Sequence, residues 1–164
     1  MKDMKRIFPA FIALILTVLV LPVVAMAWEA GQVRKVSDGD TLHVGNARVR
    51  LYGIDCPEKD QPFGQEAKDF VTSKIVQAGG QVFLDVIDKD HYGRLVAVVR
   101  LGKPDGPVLN QELLRAGLAW HYTRYCKTPT CEAWKETEAS ARTAKAGLWG
   151  QPNPTAPWNW RRKH

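Results

Sequence analysis

Two tight turns close together limit the possible folds of this 164-residue chain more than anything else in its sequence. Asp38-Gly39-Asp40 and Gly45-Asn46 separate three short apolar stretches at 31–37, 41–44 and 47–52. Such pairs favour the backbone angles that antiparallel hairpins need, so the region reads as three consecutive strands. In the third, Val49 and Leu51 alternate with Arg48 and Arg50. A strand has a period of two residues, so both arginines leave the apolar face together.

The rest of the chain extends this pattern. Pro57 and Pro62 bracket a polar loop, and beyond Gly64 the positions Ala67, Phe70, Val71, Ile75 and Ala78 recur at helical spacing until Gly79-Gly80. Residues 81–88 and 94–101 are apolar and β-branched, and Lys89-Asp90-His91-Tyr92-Gly93 joins them as a hairpin. Leu109, Leu113, Leu114 and Leu118 mark a short amphipathic helix ending near Gly117, and 132–145 a last one with Trp134, Ala141 and Leu148 inward. From 151 onward, prolines, tryptophans and Arg161-Arg162-Lys163 read as an extended basic tail. This order suits an α+β, mainly β architecture: a five-stranded Greek-key barrel with about three packed helices.

The start of the chain stands apart. Lys2, Lys5 and Arg6 precede an apolar run at 7–24, and Ala25-Met26-Ala27 follows. These are the parts of a secretory signal, cleaved after Ala27; the alternative is an uncleaved membrane anchor formed by 7–24. The expected organisation is a leader at 1–27, one domain at 28–150 and the tail at 151–164. With 45% hydrophobic and 24% charged residues, the composition excludes a disordered chain, a collagen-like fibre and a multispan membrane protein. A net charge of +6 permits a polyanionic partner without requiring one.

Export implies an oxidising destination, where Cys126 and Cys131 are expected to form a local disulfide at the start of the last helix. A metal site made of those two with His121 is the alternative, and a poor zinc pattern. Cys56 is then the unpaired thiol, shielded beside Pro57. His43, His91 and His164 show no pattern and are assigned to the surface.

Three charged clusters fall where such a fold makes turns: Asp38-Gly39-Asp40-Thr41, Asp55-Cys56-Pro57-Glu58 and Asp90-His91-Tyr92-Gly93-Arg94. Taken singly, each is an ordinary turn or a solvated loop. Together, Asp40, Asp55 and Glu58 supply hard oxygens suited to Ca²⁺ or Mg²⁺, and Arg50 and Arg94 supply two planar forks suited to phosphate. A cation, a carboxylate base and two arginines are what phosphodiester hydrolysis requires.

With these strings the sequence resembles the staphylococcal nuclease (thermonuclease) family. The matching segments are Val36-Ser37-Asp38-Gly39-Asp40-Thr41, Arg48-Val49-Arg50-Leu51-Tyr52-Gly53-Ile54-Asp55-Cys56-Pro57-Glu58 and Tyr92-Gly93-Arg94. Gly64-Gln65-Glu66-Ala67, the string at 110–119 and Ala146-Gly147-Leu148-Trp149 match as well, in order, from about 31 to 149. The resemblance implies an OB-fold barrel and Ca²⁺-dependent, sequence-tolerant hydrolysis of DNA and RNA by a monomer. It implies Asp40 and Asp55 as metal ligands with the Cys56 backbone carbonyl, Glu58 as general base, and Arg50 and Arg94 as the phosphate clamp. Tyr92 matches a substrate-side tyrosine, and Tyr122 and Tyr125 are candidates for further aromatic contacts, or else for packing between barrel and helix. The sequence departs from the type member in three places. Cys56 stands where that member has threonine, the loop from Glu58 to Gly64 is shorter, and the Cys126–Cys131 segment and the Trp-rich tail have no counterpart. The rival reading is a noncatalytic nucleic-acid-binding barrel, which would not need Asp40, Arg50, Asp55, Glu58 and Arg94 all together. A carboxylate-pair glycosidase would leave both arginines unexplained.

Overall fold

The computed structural model describes residues 29–163. The leader, its cleavage point after Ala27, the anchor alternative and His164 lie outside the described residues. Among the described residues no helix is long and apolar enough to cross a membrane.

Strands β1 (Glu29–Asp38), β2 (Thr41–Val44) and β3 (Ala47–Leu51) run as consecutive antiparallel neighbours. Register shifts in β1 near Val33 and Val36 bend it, so that its first half pairs with β5 (Gln81–Lys89) and its second half with β2. Strand β6 (Leu95–Leu101) pairs antiparallel with β5 and parallel with β3, which closes the barrel in the order β1-β2-β3-β6-β5. Closure leaves no free edge on the barrel. Its interior is built from alternate residues, among them Leu42, Val49, Leu51, Val82 and Val99, all buried.

Helix α1 (Gly64–Gln77) buries Ala67, Val71 and Ile75 and ends before Gly79 at φ +66. In α2 (Leu109–Arg115), Leu109, Leu113 and Leu114 are buried with the polar Asn110. The Asn110 amide accepts from Val99 N at 3.0 Å and donates to Tyr52 O at 2.9 Å, joining the helix to the barrel. Helix α3 (Thr130–Thr143) starts two positions before the expected residue 132 and carries buried Trp134 inward.

Two features depart from the sequence reading. Ile54–Asp55 (β4) and Trp120–His121 (β7) form a separate two-stranded sheet, with Asp55 opposite Trp120. Segments of two residues carry no periodicity from which to expect them. The tail is not extended: Pro157–Trp160 forms one helical turn, α4, with Ala156 and Pro157 buried. Proline at the first helical position presets φ for a turn. Trp158 then packs against Tyr122 and Trp120, which hides apolar rings that an extended tail would leave in water.

Candidate active site

The site begins at the β1–β2 turn. A Cβ on Gly39 would lie 2.8 Å from the Cβ atoms of both Ala67 and Cys56, so only glycine lets this turn rest on the Cys56 segment. That contact delivers Asp40, whose Oδ2 accepts from Cys56 N at 2.8 Å and whose Oδ1 accepts from Thr41 Oγ1 at 3.2 Å. Arg50 leaves β3 on the side away from Val49 and Leu51, as the strand period requires. Its Nη1 pairs with Asp40 Oδ2, and its Nη2 reaches Asp55 Oδ1 at 2.7 Å and Ile54 O at 3.1 Å. One guanidinium therefore sits between the two carboxylates.

Asp55 is held by the β4–β7 pair and is only 1% exposed. Glu58 follows on the loop before α1. Its N–H donates to Gln61 Oε1 at 3.1 Å and its carbonyl accepts from Gln61 N at 2.9 Å. A Cβ on Gly64 would fall 1.9 Å from Glu58 O, so this glycine permits the loop to fold back on the start of α1. Arg94 comes from the β5–β6 hairpin, where its Nε donates to Asp90 Oδ2 at 2.7 Å. Among the described residues that contact uses Nε alone, which leaves the Nη fork for another partner.

Burial shapes the electrostatics. It raises the Asp38 carboxyl from 3.8 to about 6, with the neighbouring Asp40 charge adding to the rise. Burial also raises Asp55, against the pull of Arg161 and Arg50. The Cys56 thiol is pushed well above 9.0 by burial and by Asp40, so it stays protonated. Burial opposes the charge on Arg50, but Asp40 and Asp55 outweigh it and its pKa rises. The arrangement suits a hard divalent cation: two carboxylates converge on a point that already holds a cationic group, and the Cys56 side chain offers only a neutral thiol. Asp40, Asp55 and the Cys56 carbonyl are the donors that would hold it.

Asp40, Arg50, Asp55, Cys56, Glu58 and Arg94 all line one open cleft of about 980 Å³. Tyr92, Tyr122 and Tyr125 line it too. Tyr92 is 69% exposed, with Arg94 Cζ 5.4 Å from its ring centre. Tyr122 is already stacked: Trp158 lies 5.0 Å away at 10°, and Tyr125 meets its edge at 4.8 Å. Tyr125 keeps 55% exposure, so Tyr92 and Tyr125 offer open ring surface. Cys126 and Cys131 are joined as a disulfide, and Cys56 is free and buried. The His121, Cys126 and Cys131 ligand atoms lie within 4.8 Å of one another, with both sulfurs committed to that bond. A Cβ on Gly53 (φ +67) would lie 2.6 Å from Cys126 Sγ, so the disulfide packs directly under the turn leading to Asp55.

Sequence reasoning missed Arg161, which enters the cleft from α4. Its Nη2 lies 2.9 Å from Asp55 Oδ2 and its Nη1 2.5 Å from Glu58 Oε1. Only the clustering of Trp158, Trp160 and three basic residues hinted that the tail had somewhere to dock.

A family model described as staphylococcal nuclease homologue matches residues 48–151. An uncharacterized endonuclease of Escherichia coli O157:H7 is 37% identical over 157 residues, covering 93% of this chain and 97% of that protein. A micrococcal nuclease of Shigella flexneri is 37% identical, covering 88% of this chain and 87% of its own. A probable staphylococcal-like nuclease of Oryza sativa subsp. japonica is 39% identical over 76% of this chain and 35% of its own length. The chain spans about a third of the length of the plant relatives it matches.

Proposed function

The chain belongs to the staphylococcal nuclease family, and from that premise we propose that it is a Ca²⁺-dependent nuclease that hydrolyses phosphodiester bonds of DNA and RNA with little sequence preference. One observation carries the reading: Asp40, Arg50, Asp55, Glu58 and Arg94, scattered over 55 positions of sequence, meet on the wall of one cleft. The cleft is open, as a polymer substrate requires, and its arginines are permanently charged.

Each residue has a task that its chemistry fits. Asp40, Asp55 and the Cys56 carbonyl would hold the cation. When bound, Ca²⁺ supplies a Lewis acid against the charge that grows on the phosphoryl oxygens. Arg94, with its fork unspent, grips a phosphate oxygen and gains strength as negative charge accumulates there. Arg50, paired with Asp40 and Asp55 on the same cleft wall, is the second arginine of the phosphate clamp. Glu58, on the cleft wall, orients a water and takes its proton. Tyr92 and Tyr125 present open rings on which bases can stack without regard to sequence.

The test is incubation of the purified chain with plasmid DNA and with RNA, in Ca²⁺ and in excess chelator. Cleavage that stops in chelator and returns with Ca²⁺ supports the reading. Full activity in chelator would remove the metal from it. Tight binding in Ca²⁺ without cleavage would favour the noncatalytic barrel. Export is part of the same proposal, supported by the Cys126–Cys131 disulfide. N-terminal sequencing of exported protein should begin at Trp28, and an intact Met1 in a membrane fraction would favour the anchor.

A further inference from the structure

The segment at 155–161 is built into the site. Gln61 joins the two: its Oε1 accepts from Glu58 N at 3.1 Å, and its Nε2 donates to Thr155 O at 2.6 Å. Ala156 and Pro157 are buried, and Trp158 stacks on Tyr122. These contacts anchor the tail without using any carboxylate of the cleft. The next turn brings the Arg161 fork onto Asp55 Oδ2 at 2.9 Å and Glu58 Oε1 at 2.5 Å.

We propose that Arg161 is a positioning residue, which holds the Glu58 carboxylate beside Asp55 in the orientation that lets it act on the attacking water. The inference rests on the reading of Glu58 as the base. A planar guanidinium that bonds two carboxylates at once sets their separation. Glu58 needs that restraint, since its side chain is 36% exposed and stands on a loop, free to turn toward solvent without a partner. Asp55 is the fixed end of the bridge, buried and held by the β4–β7 pairing. Arg161 bonds only Oε1 of Glu58, so Oε2 remains to receive a proton. The opposite reading makes Arg161 a plug that competes with substrate or cation. The anchoring of the tail by Ala156, Pro157, Trp158 and Gln61 argues against it, because a plug must leave readily.

The experiment compares the full-length chain with Arg161→Ala, Arg161→Lys and Arg94→Ala, measuring kcat and KM on a DNA substrate in Ca²⁺ at fixed salt. Arg161→Ala should lower kcat by about 10–100-fold, the usual cost of misplacing a catalytic group, with KM changed by less than about threefold. Lysine restores the charge but not the two-pronged plane, so Arg161→Lys should recover only part of the loss. DNA affinity in chelator should stay close to that of the unaltered chain, and urea unfolding should show each variant folded under the assay conditions. In a Glu58→Gln background, removal of Arg161 should cost little more, because the two act as one unit. Equal or higher kcat in Arg161→Ala, with Arg94→Ala inactive, would overturn positioning and leave the nuclease reading standing. An undiminished Arg161→Ala effect in the Glu58→Gln background would overturn it too. Inactivity of the unaltered chain would remove the reaction itself, and this proposal with it.

Discussion

Arg50→Met removes the cation between Asp40 and Asp55 while keeping an apolar stem of similar length. Asp55 is 1% exposed and Arg50 16%, so the pair is effectively buried, and loss of one partner from a buried pair typically costs about 3–5 kcal/mol. A second route gives a ceiling. The two carboxylates, with only Arg161 left on Asp55, can relieve their repulsion by taking up one proton, against an ordinary value of 3.8. At about pH 7 that uptake costs roughly 4 kcal/mol, and at about pH 5 roughly 1.5 kcal/mol. The expected loss in chelator is therefore about 3–4 kcal/mol near neutrality, shrinking to about 1.5 kcal/mol at the lower pH. Raised carboxyl pKa values in the folded variant make it bind more protons than the unfolded chain, so its deficit must narrow as pH falls. Urea unfolding followed by tryptophan fluorescence, at both pH values, reads the difference directly. A loss below about 1 kcal/mol near neutrality, or one that does not change with pH, would refute this account of the buried charges.

The remaining predictions concern the site and its supports. Arg94→Ala and Glu58→Gln should each lower kcat by about 10²–10³ with a smaller change in KM, since both act on the transition state. Steady-state kinetics that show a loss confined to KM would reassign them to binding. Burial lowers the His121 pKa below its ordinary 6.5 despite Glu138 and Glu132, so this histidine keeps its neutral form to lower pH in the folded chain than in the unfolded one. The unfolded chain takes up its proton first, and stability should fall as pH drops from 6.5 toward the lower folded value. Following the imidazole by NMR checks this, and titration at or above 6.5 would contradict it. Reducing the Cys126–Cys131 bond, which closes a loop five residues apart, should cost about 2 kcal/mol, read as a lower urea midpoint in reductant.

Much of the barrel is visible in the sequence because its information is local. Val49, Arg50 and Leu51 announce both a strand and the side on which an arginine must emerge, and Asp38-Gly39-Asp40 announces the turn beside it. The helical spacing of Ala67, Val71 and Ile75 likewise survives intact in α1. Parallel pairing of β3 with β6 is another matter, since nothing near Leu51 or Leu95 states that the two are neighbours. That contact follows from barrel closure, a property of all five strands at once.

The candidate site divides along the same line. Residue types and spacing offer Asp40, Arg50, Asp55, Glu58 and Arg94 as candidates, because hard oxygens and planar cations have few chemical uses in common, and the fold brings all five to one cleft. Only the tertiary structure decides that Arg50 lies between two carboxylates, that Tyr122 has already spent its face on Trp158, and that Arg161 bridges Asp55 and Glu58 across more than a hundred residues of sequence. The tail shows the reason most clearly. Prolines and a basic run encode only a lack of regular structure, whereas its docked turn is stabilised by apolar contacts with rings contributed by β7 and the segment after it. Local sequence specifies what a residue can do; which partner it does it with depends on the surfaces that the folded chain brings within reach.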